Sequence, residues 1–232
     1  MTETERQKQP WKTEADLEWL KRSSRTIGTG SFGIVYYARI KFKGEKPKRV
    51  LVKEFHEHRQ PENEADASHY NTAIEKLHNA GVNIPKTRVI RHDGKWVQVS
   101  ELFGNATRGS KIIPWEHEIN TERAEAFFNH IAKIYNAGYA PSDDSIGFVP
   151  NASGGKFITH DFDHFAQMEW MLTNELKLVM AKRSTHYVLS QLHIITGISE
   201  SEAITRLLTK VKHPKMLEVL RELKDEHASK RS

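Results

Sequence analysis

Residues 27–40 read IGTGSFGIVYYARI, with Gly28, Gly30 and Gly33 spaced as GxGxxG. Two unrelated nucleotide-binding arrangements use such glycines. In one, they follow a strand and open a helix whose N-terminus takes the pyrophosphate. In the other, they lie at the tip of a two-stranded hairpin. The residues after Gly33 decide between them. FGIVYYARIKF and KRVLVKEF are rich in β-branched and aromatic residues and are separated by the turn-forming KGEKPK. The glycines therefore link strand to strand, and the helix that a dinucleotide site requires is missing.

Upstream, TEADLEWLKR reads as a short helix capped by Thr13, preceded by a polar, loose segment over residues 1–10. Downstream, residues 62–80 (ENEADASHYNTAIEKLHNA) form a helix pattern stopped by Gly81, which suits the left-handed position past a helix end. KTRVIRH and KWVQVSELF flank Asp93-Gly94, a dipeptide that specifies a tight hairpin. Between Thr121 and Ala137, Ala124, Phe127, Phe128, Ile131, Ile134 and Tyr135 recur at helical spacing, and Gly138 ends the run. Beyond Phe165 the chain reads as helical, with SESE (199–202) as a capping box and a loose tail from His227. A β-rich first part followed by a helical second part predicts an α+β fold.

Composition narrows the function. The 232 residues suffice for one domain of two lobes or for two small domains. No run of about 18 apolar residues occurs, and the N-terminus lacks an apolar signal core. The chain thus reads as cytoplasmic, with no membrane partner. With no cysteine, disulfides, zinc thiolates, iron–sulfur clusters and cysteine nucleophiles are excluded. A net charge of +5 attracts phosphates, but Lys and Arg are dispersed, which permits nucleic-acid binding without indicating it. The 13 histidines show no HExxH or comparable spacing and read as solvated or core groups. Trp115, Trp170 and the helix phenylalanines read as core. No GxSxG elbow supports a serine nucleophile.

Lys53 closes VLVK, one strand after the glycine hairpin. There an ammonium reaches phosphates beneath glycines whose missing Cβ lets backbone N–H groups approach. Five stretches, GTGSFGIV, VLVK, HNAGVNIPKTRVI, VSELFG and IYNAGYAPSDD…ITHDFDHF, stand in this order. Together they resemble the protein-kinase-like superfamily over residues 27–165, nearer its small-molecule, aminoglycoside-phosphotransferase-like branch than ordinary protein kinases.

The resemblance implies a bilobal fold, with a β-rich N-lobe (1–104) carrying one main helix and a short helical C-lobe (105–232). It implies that Gly28, Thr29, Gly30, Ser31, Phe32, Gly33 and Val35 cover ATP, and that Lys53 holds its α- and β-phosphates. Glu101 to Phe103 would present backbone groups to the adenine. Asp161 matches the family's Mg²⁺ ligand, and Asp163 supports the metal in place of the usual glycine. Asp143 matches the catalytic aspartate that orients the acceptor hydroxyl, with Asp144 one register away. A carboxylate of the 62–80 helix is expected beside Lys53; Glu64 is preferred to Glu75, with which it shares a face that also holds Ser68 and Asn71.

The sequence also departs from the family. Pro141 and Ser142 replace the usual His and Gly, Phe148 stands where an Asn metal ligand is expected, and no long activation segment follows Asp163. The expected function is ATP- and Mg²⁺-dependent phosphoryl transfer to a hydroxyl of a small molecule or protein. The rivals are a pseudokinase scaffold that binds nucleotide or a partner, AMP transfer on the same fold, and a basic nucleic-acid-binding module.

Overall fold

The computed structural model describes residues 14–102, 112–150, 155–171 and 173–229. Thr13, residues 1–10 and Phe103 lie outside them, as does the Asp143 side chain. The chain divides into two compact units: residues 1–71 with 85–109, and residues 72–84 with 110–232.

In the first unit, β1 (Leu17–Thr29), β2 (Gly33–Phe42), β3 (Lys48–Phe55), β4 (Thr87–His92) and β5 (Lys95–Glu101) form an antiparallel sheet ordered β1-β2-β3-β5-β4. The glycine stretch joins two strands, as the residues after Gly33 require. Asp93 and Gly94 both take positive φ, 49° and 78°, the conformation that a two-residue hairpin turn demands.

The helix expected over residues 13–22 is not there. Glu14–Asp16 form one 3₁₀ turn, and the chain is a strand from Leu17 onward. Local propensity separates helix from strand by a few tenths of a kcal/mol per residue, roughly. Pairing with β2 sets Leu20 opposite Ile40 and buries it with Ala38, Phe42, Val50, Val52, Val97 and Val99. Burial of one such leucine contributes about 1.5–3 kcal/mol, so tertiary packing overrides the local pattern.

The first helix, α1 (Glu64–Asn79), follows the predicted span and ends before Gly81 at φ 72°. Ala67 and Tyr70 pack with Phe55, Val89 and Trp96 in the first unit, while Ala73, Ile74 and Leu77 join the core of the second.

The second unit is built on α2 (Ala124–Asn136), whose Phe127, Phe128, Ile131, Ile134 and Tyr135 are all fully buried. Trp115 stacks on Phe127, ring centroids 4.6 Å apart. A small sheet of β6 (Ile113–Pro114), β7 (Ile146–Val149) and β8 (Lys156–Thr159) adds strands too short to announce themselves by alternation. The helices α3 (Asp163–Trp170), α4 (Asn174–Thr196), α5 (Glu200–Leu208) and α6 (Pro214–Ser229) complete the unit.

Trp170 and the C-terminal tail depart from their expected places. Trp170 is 61% exposed, because α3 ends at it and the chain departs at Met171. The tail is helical through Ser229, since Met216, Val219, Leu220 and Leu223 at helical spacing dock α6 on the core. The capping box is half realised: Ser199 Oγ accepts the Glu202 N–H at 3.2 Å, and the Glu202 carboxylate bonds Arg206. No helix among the described residues is long and apolar enough to cross a membrane.

Candidate functional site

Residues directly opposed across a sheet share a face. The register aligns Gly28 of β1, Val35 of β2, Lys53 of β3, Gln98 of β5 and Val89 of β4 in one row across all five strands. Two residues along, Tyr37, Leu51, Ser100 and Thr87 form a second row on the same face. Sequence reasoning found Gly28, Val35 and Lys53 but missed Gln98, Ser100 and Thr87. The available signal was a pair of polar residues alternating with valines in WVQVSE.

These missed residues are buried. Thr87 donates its hydroxyl to Ser100 Oγ at 2.9 Å, and Gln98 Nε2 lies 3.5 Å from the same oxygen. Gln98 Oε1 is buried and has no hydrogen-bond partner among the described residues. An orphaned acceptor of this kind costs about 1–3 kcal/mol, and this one stands beside Lys53 in the row.

The glycine turn is pinned to the end of β3. The Gly30 N–H donates to Gly33 O and the His56 N–H to Phe32 O, both at 2.9 Å, and the His56 ring lies 2.9 Å from Gly30 O. The Phe32 ring has Lys53 Nζ 5.7 Å and the Arg59 guanidinium 4.9 Å from its centroid. Thr29 and Ser31 are exposed.

The three glycines differ in what requires them. A Cβ on Gly33 would lie 2.3 Å from the Glu54 carbonyl oxygen, so the β2–β3 pairing itself demands glycine there. A Cβ on Gly28 or Gly30 would meet nothing within 4 Å, and neither residue takes a left-handed φ. Nothing in the described chain explains why those two positions are glycine.

On α1, Glu64 is exposed and lines a cavity of about 560 Å³ with Glu14, Glu57, Gln60, Arg91 and Lys95; Lys53 is not part of that wall. Glu75 is exposed on the half of α1 that belongs to the second unit. Asn71 clamps β4: its Nδ2 donates to Val89 O at 3.1 Å, and its Oδ1 accepts the Val89 N–H at 2.9 Å. Glu101 ends β5 half-buried, with its N–H donated to Lys86 O at 2.8 Å.

In the second unit, Asp143 opens a 3₁₀ turn, Asp143–Ser145, that leads into β7. Ser142 Oγ donates to Asp144 Oδ1 and Ser145 Oγ to Ser142 O, both at 2.8 Å. The His160 N–H donates to Ser145 O at 3.1 Å, which ties this turn to the HDFD stretch following β8. Asp161 is half-buried, and its Oδ1 accepts the Asp163 N–H at 3.2 Å. Asp163 is 1% exposed and is the first residue of α3, where the helix dipole favours a carboxylate. Phe148, where the resemblance expects a metal-binding Asn, is a core residue of β7 packed edge-on to Phe157.

Beneath these loops His130 is fully buried, with Nε2 3.1 Å from Thr159 Oγ1. Burial, aided by nearby Lys133, pushes its pKa down to about 3, so it is a neutral core group at pH 7. Tyr139 donates to Glu169, 2.5 Å away, and Lys76 pairs with the same carboxylate at 2.6 Å. Burial alone would raise the Glu169 pKa; the bonds from Lys76 and Tyr139 outweigh it and hold the carboxyl below its usual range.

No family model matches the chain, and no curated protein matches it.

Proposed function

We propose that the protein is an ATP- and Mg²⁺-dependent phosphotransferase of the protein-kinase-like kind, acting on a hydroxyl of a small molecule or a protein. The observation that carries this reading is the pair Gly28 and Gly30: the fold has no need of glycine there, and Gly28 shares a row with Lys53. Phosphate binding supplies the need, because only a backbone without Cβ brings its N–H groups against phosphate oxygens. The orphaned Gln98 Oε1 in the same row supports a ligand too, as an acceptor that an amino or hydroxyl donor of the nucleotide would satisfy.

In this reading Lys53 neutralises the phosphates, and Gly28 to Val35 cover them. Asp161 and Asp163 are hard oxygen donors of the kind Mg²⁺ takes, and Asp143 orients the acceptor hydroxyl. The ion, when bound, offsets the charge on the phosphates. Catalysis is then positioning and charge stabilisation, with no covalent enzyme intermediate.

A second reading, a nucleotide-binding scaffold without transfer, is favoured by Phe148, whose place in the β7 core removes one expected metal ligand.

Calorimetry of ATP binding with and without Mg²⁺, with ADP and AMP assayed in the same samples, separates these readings. Mg²⁺-dependent binding that weakens about 10- to 100-fold in Lys53→Met, with ADP formed, supports the kinase. Binding without product supports the scaffold, and AMP transfer points to the alternative chemistry. A folded wild type that binds no ATP defeats the nucleotide reading altogether.

A further inference from the structure

We propose that His186, Glu200 and His227 form a zinc site that clamps together the last three helices of the chain. His186 lies on α4, Glu200 is the first residue of α5 and His227 lies near the end of α6. His186 Nδ1 stands 3.2 Å, and His227 Nε2 2.9 Å, from one oxygen, Glu200 Oε2. The three donor atoms lie within 4.8 Å of one another. Around a tetrahedral zinc ion with bonds of about 2.0–2.1 Å, neighbouring donors stand roughly 3.3 Å apart. The two separations to Glu200 Oε2 are close to that spacing.

Despite this proximity, Glu200 Oε2 is buried and accepts no hydrogen bond among the described residues. Both ring nitrogens come within 3.2 Å of this oxygen, yet neither makes an N–H···O bond to it. A carboxylate oxygen faced in this way by two imidazole nitrogens suits a cation that all three share.

The surroundings support the same reading. Ser190, one turn beyond His186 on α4, donates to Glu200 Oε1 at 2.7 Å and so fixes the carboxylate as an outer-shell partner fixes a metal ligand. Lys182, one turn before His186, bridges Glu222 and Glu226 of α6 at 3.1 and 2.6 Å, which holds the two helices at this spacing. Two imidazoles and one carboxylate are a zinc ligand set that leaves the fourth position to water. The exposed His186 gives the ion a path in.

Metal-stripped full-length protein titrated with Zn²⁺ by calorimetry, and with Co²⁺ by visible absorption, tests the proposal. One Zn²⁺ per chain is expected, with the d–d bands of tetrahedral Co²⁺. Affinity falls about 100-fold or more in His227→Ala and Glu200→Gln and about tenfold in Ser190→Ala. It is unchanged in His117→Ala, and Zn²⁺ raises the thermal midpoint of the wild type and of that control fully, that of Ser190→Ala less, and those of His227→Ala and Glu200→Gln little. If the first two variants do not fold, His186→Ala, at an exposed position, carries the same expectation. A wild type that binds no zinc, or binding that survives these substitutions, overturns the site and leaves a carboxylate shared by two histidines.

Discussion

Lowering the pH should destabilise the second unit through His130. In the folded chain burial pushes this group from 6.5 down to about 3, whereas in the unfolded chain it titrates near its ordinary value, about 6.5. The unfolded state therefore binds more protons between those values. The depressed pKa contributes stability that is fully present above pH 6.5 and is lost as the pH falls toward 3. Each pH unit inside the window removes about 1.4 kcal/mol, so at pH 4.5 the loss is on the order of 3 kcal/mol. That is a large share of the 5–15 kcal/mol, roughly, that holds a domain folded. The reference is His130→Gln, which places an amide nitrogen near the Thr159 hydroxyl and cannot titrate. Urea unfolding across this pH range, followed by far-UV circular dichroism of the helices, should show the stability advantage of wild type over variant shrinking by that amount between pH 7.5 and 4.5. Parallel pH profiles for the two proteins would refute the reasoning, because they would mean that His130 takes up its proton without unfolding.

Two further predictions concern the first unit. Gly33→Ala should cost about 1–3 kcal/mol by forcing a methyl against the Glu54 carbonyl, while Gly28→Ala and Gly30→Ala should stay within about 0.5 kcal/mol of wild type yet weaken ATP binding. Thermal denaturation and calorimetry on the same three proteins check this, and a Gly28 or Gly30 variant that loses stability but not affinity contradicts it. Asn71→Leu should destabilise by about 1–3 kcal/mol, since it strands both backbone groups of Val89; faster amide exchange confined to β4 is the accompanying signature.

Local patterns made part of the fold and site legible. The alternation in β2 and β3, the Asp93-Gly94 turn and the helical spacing of α2 each fall within one stretch of chain, and neighbouring residues settle them. The 13–22 segment misled for the same reason: its helical pattern is local, while the β2 edge that captures it is more than ten residues away. The shared face of Lys53 and Gln98 depends on strand register, which residue types alone do not set. His186, Glu200 and His227 sit on three different helices, so no motif spacing connects them.

The sequence by itself determined that the glycines join two strands, that a lysine follows on the next strand, and that helices fill the chain beyond Phe165, because short-range sterics and periodicity govern those features. Only the tertiary structure decided that Gly33 serves the sheet while Gly28 and Gly30 do not, that Gln98 stands buried beside Lys53, and that one carboxylate faces two histidines. Each of these is a contact between residues distant in sequence, set by packing and register rather than by any preference of the residues themselves.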